Sequence, residues 1–376
     1  MRVTPSRWLS SSLALVSVGT AYGQFWTINT NGTPTAINDS GIAAGYNTTQ
    51  YFTWSAGGGL VGIGGVVPGN GNGGWPSISA DGTQVGATAN NPVTGKSEMA
   101  YYRTNTGMWT TCGSLGSYSG SSASAGFAMN SAGSILAGNA WISAGNTHAV
   151  VWSGGTMTDL GSNLSTRSTR ANGVSDDGSL VGGWQDRSDG YRSGAVWVNG
   201  AETVLTVGGN PLADVNAVSG DGQWAVGNGG AYAFGQAYMW NRSTGLSFLN
   251  SPFDTSMYDT LSATAVSRDG SVVVGYARDT NPLDWGTPDI GWIWTSGTGV
   301  EEIGAWATAQ GFNIGGNSLT DPTGISPDGR YIVGYGYAPN GFTTLGWVVS
   351  TPVPEPATLG VLAIGTLAVL RRRKSR

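Results

Sequence analysis

Cys112 and His148 are the single cysteine and single histidine of this 376-residue chain. A thiolate beside an imidazole is a workable nucleophile, but only with an activating group at hand. Nothing in the sequence supplies one, because Cys112 falls at a hairpin turn and His148 opens a strand. One histidine and one cysteine also fall short of any familiar zinc or iron site. Paired carboxylates come next, since glycoside hydrolysis needs two acidic groups flanking one bond. Asp176-Asp177 lies in a tight turn, and Glu301-Glu302 points opposite ways from a strand. Asp186-Arg187-Ser188-Asp189-Gly190 offers oxygens to calcium, but it lacks EF-hand spacing and Arg187 opposes a cation. The runs Gly57-Gly58-Gly59 and Gly69-Asn70-Gly71-Asn72-Gly73-Gly74 open no helix and contain no lysine, so they are not phosphate loops. No catalytic residue, no metal ligand and no cofactor is assigned from these features.

A different chemistry is open to Trp75, Trp184, Tyr191, Trp285 and Trp306, with Asp186, Asp189 and Asp284 beside them. Flat rings stack on the C–H faces of sugars, while carboxylates accept from hydroxyls. The same rings can equally seal loops onto the body, and the sequence leaves both roles open.

What must position these residues is a unit written seven times. Each copy has a small apolar stretch, a Ser or Asn, a turn ending in Gly, an apolar stretch and an aromatic strand. The turns read Asn38-Asp39-Ser40-Gly41, Ser79-Ala80-Asp81-Gly82, Asn130-Ser131-Ala132-Gly133, Ser175-Asp176-Asp177-Gly178, Ser219-Gly220-Asp221-Gly222, Ser267-Arg268-Asp269-Gly270 and Ser326-Pro327-Asp328-Gly329. Their glycines follow at intervals of 41, 51, 45, 44, 48 and 59 residues. That period suits a propeller blade of four short strands, and it exceeds the roughly 20–29 residues of a solenoid coil. Asp caps the amides of the turn and Gly supplies a positive φ.

Strand a precedes each turn and strand b follows it. Strand b ends in Gly45, Gly86, Gly138, Gly182, Gly227, Gly275 or Gly334, where neighbouring backbones approach. Strand c carries Trp54, Tyr102, Trp152, Trp197, Trp240, Trp294 and, one position displaced, Trp347, read as wedges between sheets. The seventh unit lacks a fourth strand, whereas Phe25-Trp26-Thr27-Ile28-Asn29 is a strand without a unit. Pairing the two closes a ring and protects its edges. The fold expected is an all-β, seven-bladed propeller closed by an N-terminal strand. Its a–b and c–d turns are short, making one face plain. The b–c connections (183–193, 276–290) and d–a connections (66–76, 117–126, 305–322) are long, variable and gathered on the other face, where function collects.

Composition agrees and excludes alternatives. There are 63 glycines and 10% charged residues, yet 16 Trp, 14 Tyr and 8 Phe, which rules out a disordered linker. The glycines follow no triplet period, which rules out collagen. Arg2 and Arg7 at one end, and Arg371, Arg372, Arg373, Lys374 and Arg376 at the other, hold 7 of the 17 basic residues. The body between is strongly acidic, with Lys96 its only lysine, and lacks the footprint of a nucleic-acid binder.

Both ends read as addresses. Residues 1–23 have a basic start, an apolar run from Trp8 to Val18, and small residues at Ala21-Tyr22-Gly23, the plan of a secretory signal peptide. At the other end Pro354-Glu355-Pro356 precedes an uncharged helix over 357–370 and the cluster Arg371-Arg372-Arg373. Flanking arginines extend so short a transmembrane helix, and a basic cluster stays on the cytoplasmic side.

Part for part, the segment 351–376 resembles the PEP-CTERM sorting signal, which also circulates under a name taken from ice-binding proteins. The resemblance implies recognition by an exosortase-type protease, transient anchoring in the inner membrane, and delivery to the cell surface or an extracellular matrix. The body has no long Thr-x-Thr ladder of the kind a flat ice-binding face requires. Residues 24–350 resemble the extracellular HAF repeat family, through strand-c starts such as His148-Ala149-Val150, Ala195-Val196-Trp197 and Ala237-Tyr238-Met239. Ser326-Pro327-Asp328-Gly329-Arg330 looks like the blade turn of TolB and WD-type propellers. The HAF resemblance brings no reaction with it. Two functions follow as expectations. The first is a non-enzymatic surface or matrix protein of the biofilm kind, binding exopolysaccharide or cell-surface proteins through variable loops. The second is a propeller-based glycan hydrolase or lyase.

Overall fold

The computed structural model describes residues 23–28, 32–69, 73–143, 145–230, 235–280 and 288–351. The expected signal peptide and transmembrane sorting helix, with Trp285 and Asp284, lie outside the described residues. No helix among those described is long and apolar enough to cross a membrane.

Strand β1 (Gln24–Ile28) comes first in the chain and belongs to the last blade. Blade 1 is β2 (Thr33–Ile37), β3 (Ala43–Tyr46), β4 (Tyr51–Ser55) and β5 (Gly59–Gly64). Blade 2 is β6 (Ser77–Ile78), β7 (Gln84–Asn90), β8 (Ser97–Arg103) and β9 (Met108–Thr111). Blade 3 is β10 (Ser124–Met129), β11 (Ile135–Trp141), β12 (Thr147–Ser153) and β13 (Thr156–Asp159). Blade 4 is β14 (Thr169–Val174), β15 (Leu180–Asp186), β16 (Arg192–Val198) and β17 (Ala201–Val204). A small hairpin, β18 (Thr206–Val207) and β19 (Asn210–Pro211), leads into blade 5. That blade is β20 (Val215–Val218), β21 (Trp224–Asn228), β22 (Ala237–Asn241) and β23 (Gly245–Phe248). Blade 6 is β24 (Thr260–Val266), β25 (Val272–Arg278), β26 (Ile290–Thr295) and β27 (Gly299–Glu302). Helix α1 (Ile303–Ala309) follows, inside a connection expected to be plain loop. Blade 7 is β28 (Ser318–Ile325), β29 (Tyr331–Tyr337) and β30 (Thr344–Ser350), with β1 as its fourth strand. The ring closes as anticipated, Gln24 to Ile28 pairing antiparallel with Ser350 to Gly346.

The repeated turn explains itself in hydrogen bonds. Ser267 Oγ donates to Asp269 and accepts from the amide of Val272, while Asp269 accepts from the amide of Ser271. Ser79, Ser175, Ser219 and Ser326 repeat this pattern. All seven turn glycines have φ between 70 and 76°. The turns also link into a ring. Amides of Ala80, Asp176, Asp221 and Arg268 donate to carbonyls of Ser131, Gly220, Arg268 and Pro327 in the next blade. Carboxylates of Asp176 and Asp39 accept from Ser131 and Asp328, and Asn38 Nδ2 reaches the Ser79 carbonyl. Every seam is therefore stitched on the plain face.

Between the stitches lie seven apolar clusters, one at each seam between neighbouring blades. The strand-c aromatics belong to them, and Trp54, Trp197 and Trp347 are buried. Trp347 is displaced by two positions rather than one. It pairs with Gly334 as Trp292 pairs with Gly275, and Val349 holds the place of Trp294. A shift of two keeps the ring on the same sheet face, which one residue would not.

Strand a carries a one-residue bulge in six blades, at Thr35, Phe127, Asn172, Asn216, Thr264 and Thr323. Opposite it, strand b carries glycine in all six of these blades. A Cβ on Gly275 would sit 2.0 Å from the Ser262 carbonyl oxygen, and one on Gly183 would sit 1.9 Å from that of Arg170. Gly183, not Gly182, holds this place in blade 4, and Ala87, not Gly86, in blade 2, because the a–b turn sets the register one residue later.

Candidate functional site

The bulged side chains face the centre of the ring and bind the next blade. Thr35, Thr264 and Thr323 each donate to a proline carbonyl at 2.6 Å, from Pro76, Pro322 and Pro34. Asn172 and Asn216 donate to Val215 and Ala263 at 2.8 and 2.7 Å. Pro76 and Phe127 stand at the equivalent places in blades 2 and 3. The ring is thus polar over five blades and apolar over two. It surrounds a central cavity of about 440 Å³ that opens toward the variable face.

Two residues per blade form its mouth: one two positions before the bulge, and one just after the strand-b glycine. They face each other across the ladder. Blade 4 gives Arg170 opposite Trp184, blade 7 gives Asp321 opposite Tyr335, and blade 6 gives Ser262 opposite Tyr276. Thr33 opposes Tyr46 in blade 1. One wall is aromatic: Trp75 meets Phe127 edge-on at 6.1 Å, and the Arg170 guanidinium lies over Phe127, Trp184 and Trp75 at 4.3, 5.2 and 5.9 Å. Arg192 covers Trp184 at 4.1 Å and pairs loosely with Asp186 and Asp214 at 3.7 and 3.8 Å.

The opposite wall is charged. Arg278 stacks on Tyr276 at 4.4 Å, and its Nη2 contacts both Asp289 and Asp321. Burial raises the Asp321 carboxyl above the ordinary range, and neighbouring Asp289 adds to the shift while Thr320 and Arg278 oppose it. Burial likewise raises Asp214, against the pull of Arg192 and Arg170.

Of the residues singled out from sequence, the fold brings Trp75, Trp184 and Asp186 together around Arg170 and Arg192. Trp184 is not a loop residue. It sits within β15, only 6% exposed, with Nε1 buried and unpartnered. Trp75 stays 46% exposed in the connection before blade 2. Tyr191 is 72% exposed at the start of blade 4's third strand, and Asp189 is engaged by Arg187. Trp306, on α1, packs against Phe312 at 5.7 Å and so seals its connection, apart from the mouth. Sequence reasoning missed Arg170, Arg192, Arg278, Asp214, Asp289, Asp321, Tyr276 and Tyr335. A signal was there: the bulge falls three residues before each turn Ser or Asn, and the rim residue five before it.

Neither unique residue shows reactive surroundings. Burial raises the Cys112 thiol to about 12, with Glu98 adding to the shift. The residue follows β9 rather than sitting in the c–d turn. His148 Nδ1 is held by Asp159 at 2.9 and 3.0 Å. No metal-holding group of three or more His, Cys, Asp or Glu occurs among the described residues.

Residues 352–374 match the PEP-CTERM protein-sorting motif. That match contains Pro354, Glu355, Pro356 and Arg371 to Arg373. The chain carries an export address. The motif is a sorting signal for exosortase and implies export with a transient membrane stage. Among curated proteins none matches this sequence. Solved structures similar to it share low identity with it. One is from a study of two prolyl endopeptidases, with 12% identity over 89% of this chain and 51% of that chain, at a TM-score of 0.51. TolB from Acinetobacter baumannii shares 15% identity over 70% of this chain and 60% of its own, at 0.44. A putative TolB from Agrobacterium tumefaciens shares 16% over 86% and 91%, at 0.43. The chain thus spans 60% of the Acinetobacter TolB and about half of the endopeptidase, and the likeness is one of fold.

Proposed function

We propose that this is an exported, non-enzymatic surface or matrix protein that binds exopolysaccharide at the channel mouth. Cell-surface proteins are partners of the more exposed loops, and the repeats are of the HAF type. The observation that carries this reading is the pairing of aromatic Trp75 and Phe127 with Tyr276, Arg278 and Asp321 across one cavity. Rings supply stacking faces, arginines donate to hydroxyls and carboxylates accept from them. A volume of about 440 Å³ falls within the range of roughly 300–1,000 Å³ usual for ligand sites. Retention of the protein on immobilised exopolysaccharide, lost on Trp75→Ala, tests the reading. No retention on any exopolysaccharide removes it.

A hydrolase or lyase is the second reading, because Asp289 and Asp321 meet on one guanidinium and Asp321 is shifted in the direction a general acid needs. Release of new reducing or unsaturated ends, abolished by Asp321→Asn, would establish it. Retention with no new ends would exclude it.

A further inference from the structure

The mouth holds two arginines in opposite situations. Arg278 has its charge answered twice, by Asp289 at Nε and Nη2 and by Asp321 at Nη2. Arg170 occupies in blade 4 the rim position that Asp321 occupies in blade 7. Its Nε donates to the neutral Asn172 Oδ1 at 2.8 Å, and it enters no ion pair among the described residues. The nearby carboxylates Asp186 and Asp214 pair loosely with Arg192 and act on Arg170 only through space. Three rings surround its guanidinium, and burial lowers its pKa to about 10, Arg192 adding to the shift while Asp214 and Asp186 oppose it. At neutral pH it is therefore a partly buried cation whose four Nη donors have no protein acceptor among the described residues.

Such a group is costly to bury unless something pairs with it. A guanidinium fits a carboxylate edge to edge through two parallel hydrogen bonds, and that match is lost on a neutral hydroxymethyl group. The half-exposed Trp75 ring beside it provides a shelf for a sugar face. We infer that the site takes an acidic sugar, a uronate residue, with its carboxylate on the Nη groups of Arg170 and its ring on Trp75. This rests on the glycan-binding reading and narrows it to one class. Asn172 fixes the guanidinium from behind, so it is a positioning residue.

The test uses the full chain purified in detergent and titrated by calorimetry. Oligomers of polygalacturonate, alginate and hyaluronate are each compared with their own carboxyl-reduced forms, which keep linkage and length. The acid form of at least one pair should bind at least about tenfold tighter than its reduced partner. Arg170→Met should bring that ratio close to one, and Arg170→Lys, a point charge without the fork, should fall between. The ratio measured on the unaltered protein needs no variant, so a folding defect in Arg170→Met leaves the inference exposed. Reduced forms binding as well as their acids in every pair would overturn it while leaving glycan binding intact. No binding by either form would overturn it too, and the glycan-binding reading falls with it only if no other exopolysaccharide retains the protein.

Discussion

On the plain face the seven blades repeat one arrangement, whereas at the far end of the same strands no two blades offer the same pair of side chains. Arg170 with Trp184, Asp321 with Tyr335, Ser262 with Tyr276 and Thr33 with Tyr46 occupy equivalent ladder positions. The turns are uniform because each solves the same local problem: a tight reversal whose amides need acceptors and whose last residue needs positive φ. The rim solves none. The glycine and the bulge beside it already satisfy the backbone, so the rim side chains are free of structural duty and can differ. Carboxyls raised by burial, Asp214 and Asp321, stand there, whereas hydrogen bonds hold Asp81, Asp177 and Asp269 low at the turns.

Breaking the repeated part should cost most. Ile28 is fully buried in the seam that closes the ring, and Ile28→Asp puts an unpaired carboxylate there. Unfolding in denaturant should show a loss of about 4 kcal/mol or more. Gly275→Ala comes next, at about 3 kcal/mol, since its Cβ would meet the Ser262 carbonyl oxygen at 2.0 Å and backbone cannot step aside. Ordinary stability for Gly275→Ala would show that the bulge relaxes, and would undo the account of strand b.

Acid titration separates most of the turn carboxylates from the rim by sign, Asp39 being the exception, raised by burial beside Asp328. Hydrogen bonds hold Asp81, Asp177 and Asp269 below the ordinary carboxylate range, chiefly from Ser79, Ser179 and Ser271 respectively. Their contribution is whole above the unfolded value of about 3.9 and is lost as pH falls through the lower folded values. Asp321 is raised, so its ionisation opposes folding, and that opposition fades as pH falls through its folded value. Asp269→Ala should cost about 1 kcal/mol at neutral pH and nothing in strong acid. Asp321→Asn should leave stability within about 1 kcal/mol of the parent, on the stable side at neutral pH, converging with it below about pH 4. Melting curves at both pH values check the pair. A neutral-pH loss on Asp321→Asn larger than that on Asp269→Ala would reverse the contrast.

The same division decides what could be read from sequence. Seven turns in register were plain in the spacing because each is local, and so were ring closure and the aromatic strands. The glycine of strand b was misplaced by one residue in blades 2 and 4, because the second residue of a Gly-Gly or Gly-Ala step faces the bulge, and a bulge has no residue type of its own. The mouth was half seen. Trp75 and Trp184 stand out as aromatics, but Arg170, Arg278 and Asp321 carry common side chains, and only their distance from the turn marks them. Trp306 carried the same aromatic signal as Trp75 and does the opposite work, since α1 turns it onto Phe312.

Trp75→Ala should therefore have the smallest effect on the fold and still be the sharpest test of the division. Trp75 lies in a connection, 46% exposed, and its contacts are one edge-on ring and one guanidinium. Removing it should shift stability by less than about 1 kcal/mol, because little apolar area returns to water and no backbone group loses a partner. Glycan affinity should drop about tenfold or more, as expected for loss of a stacking platform from a small polar site. Trp306→Ala is the matched control: it should cost more stability, through the Phe312 contact, and leave binding unchanged. If the two variants exchanged these phenotypes, the ligand would belong to the α1 side of the variable face, and the cavity walls would be packing rather than recognition.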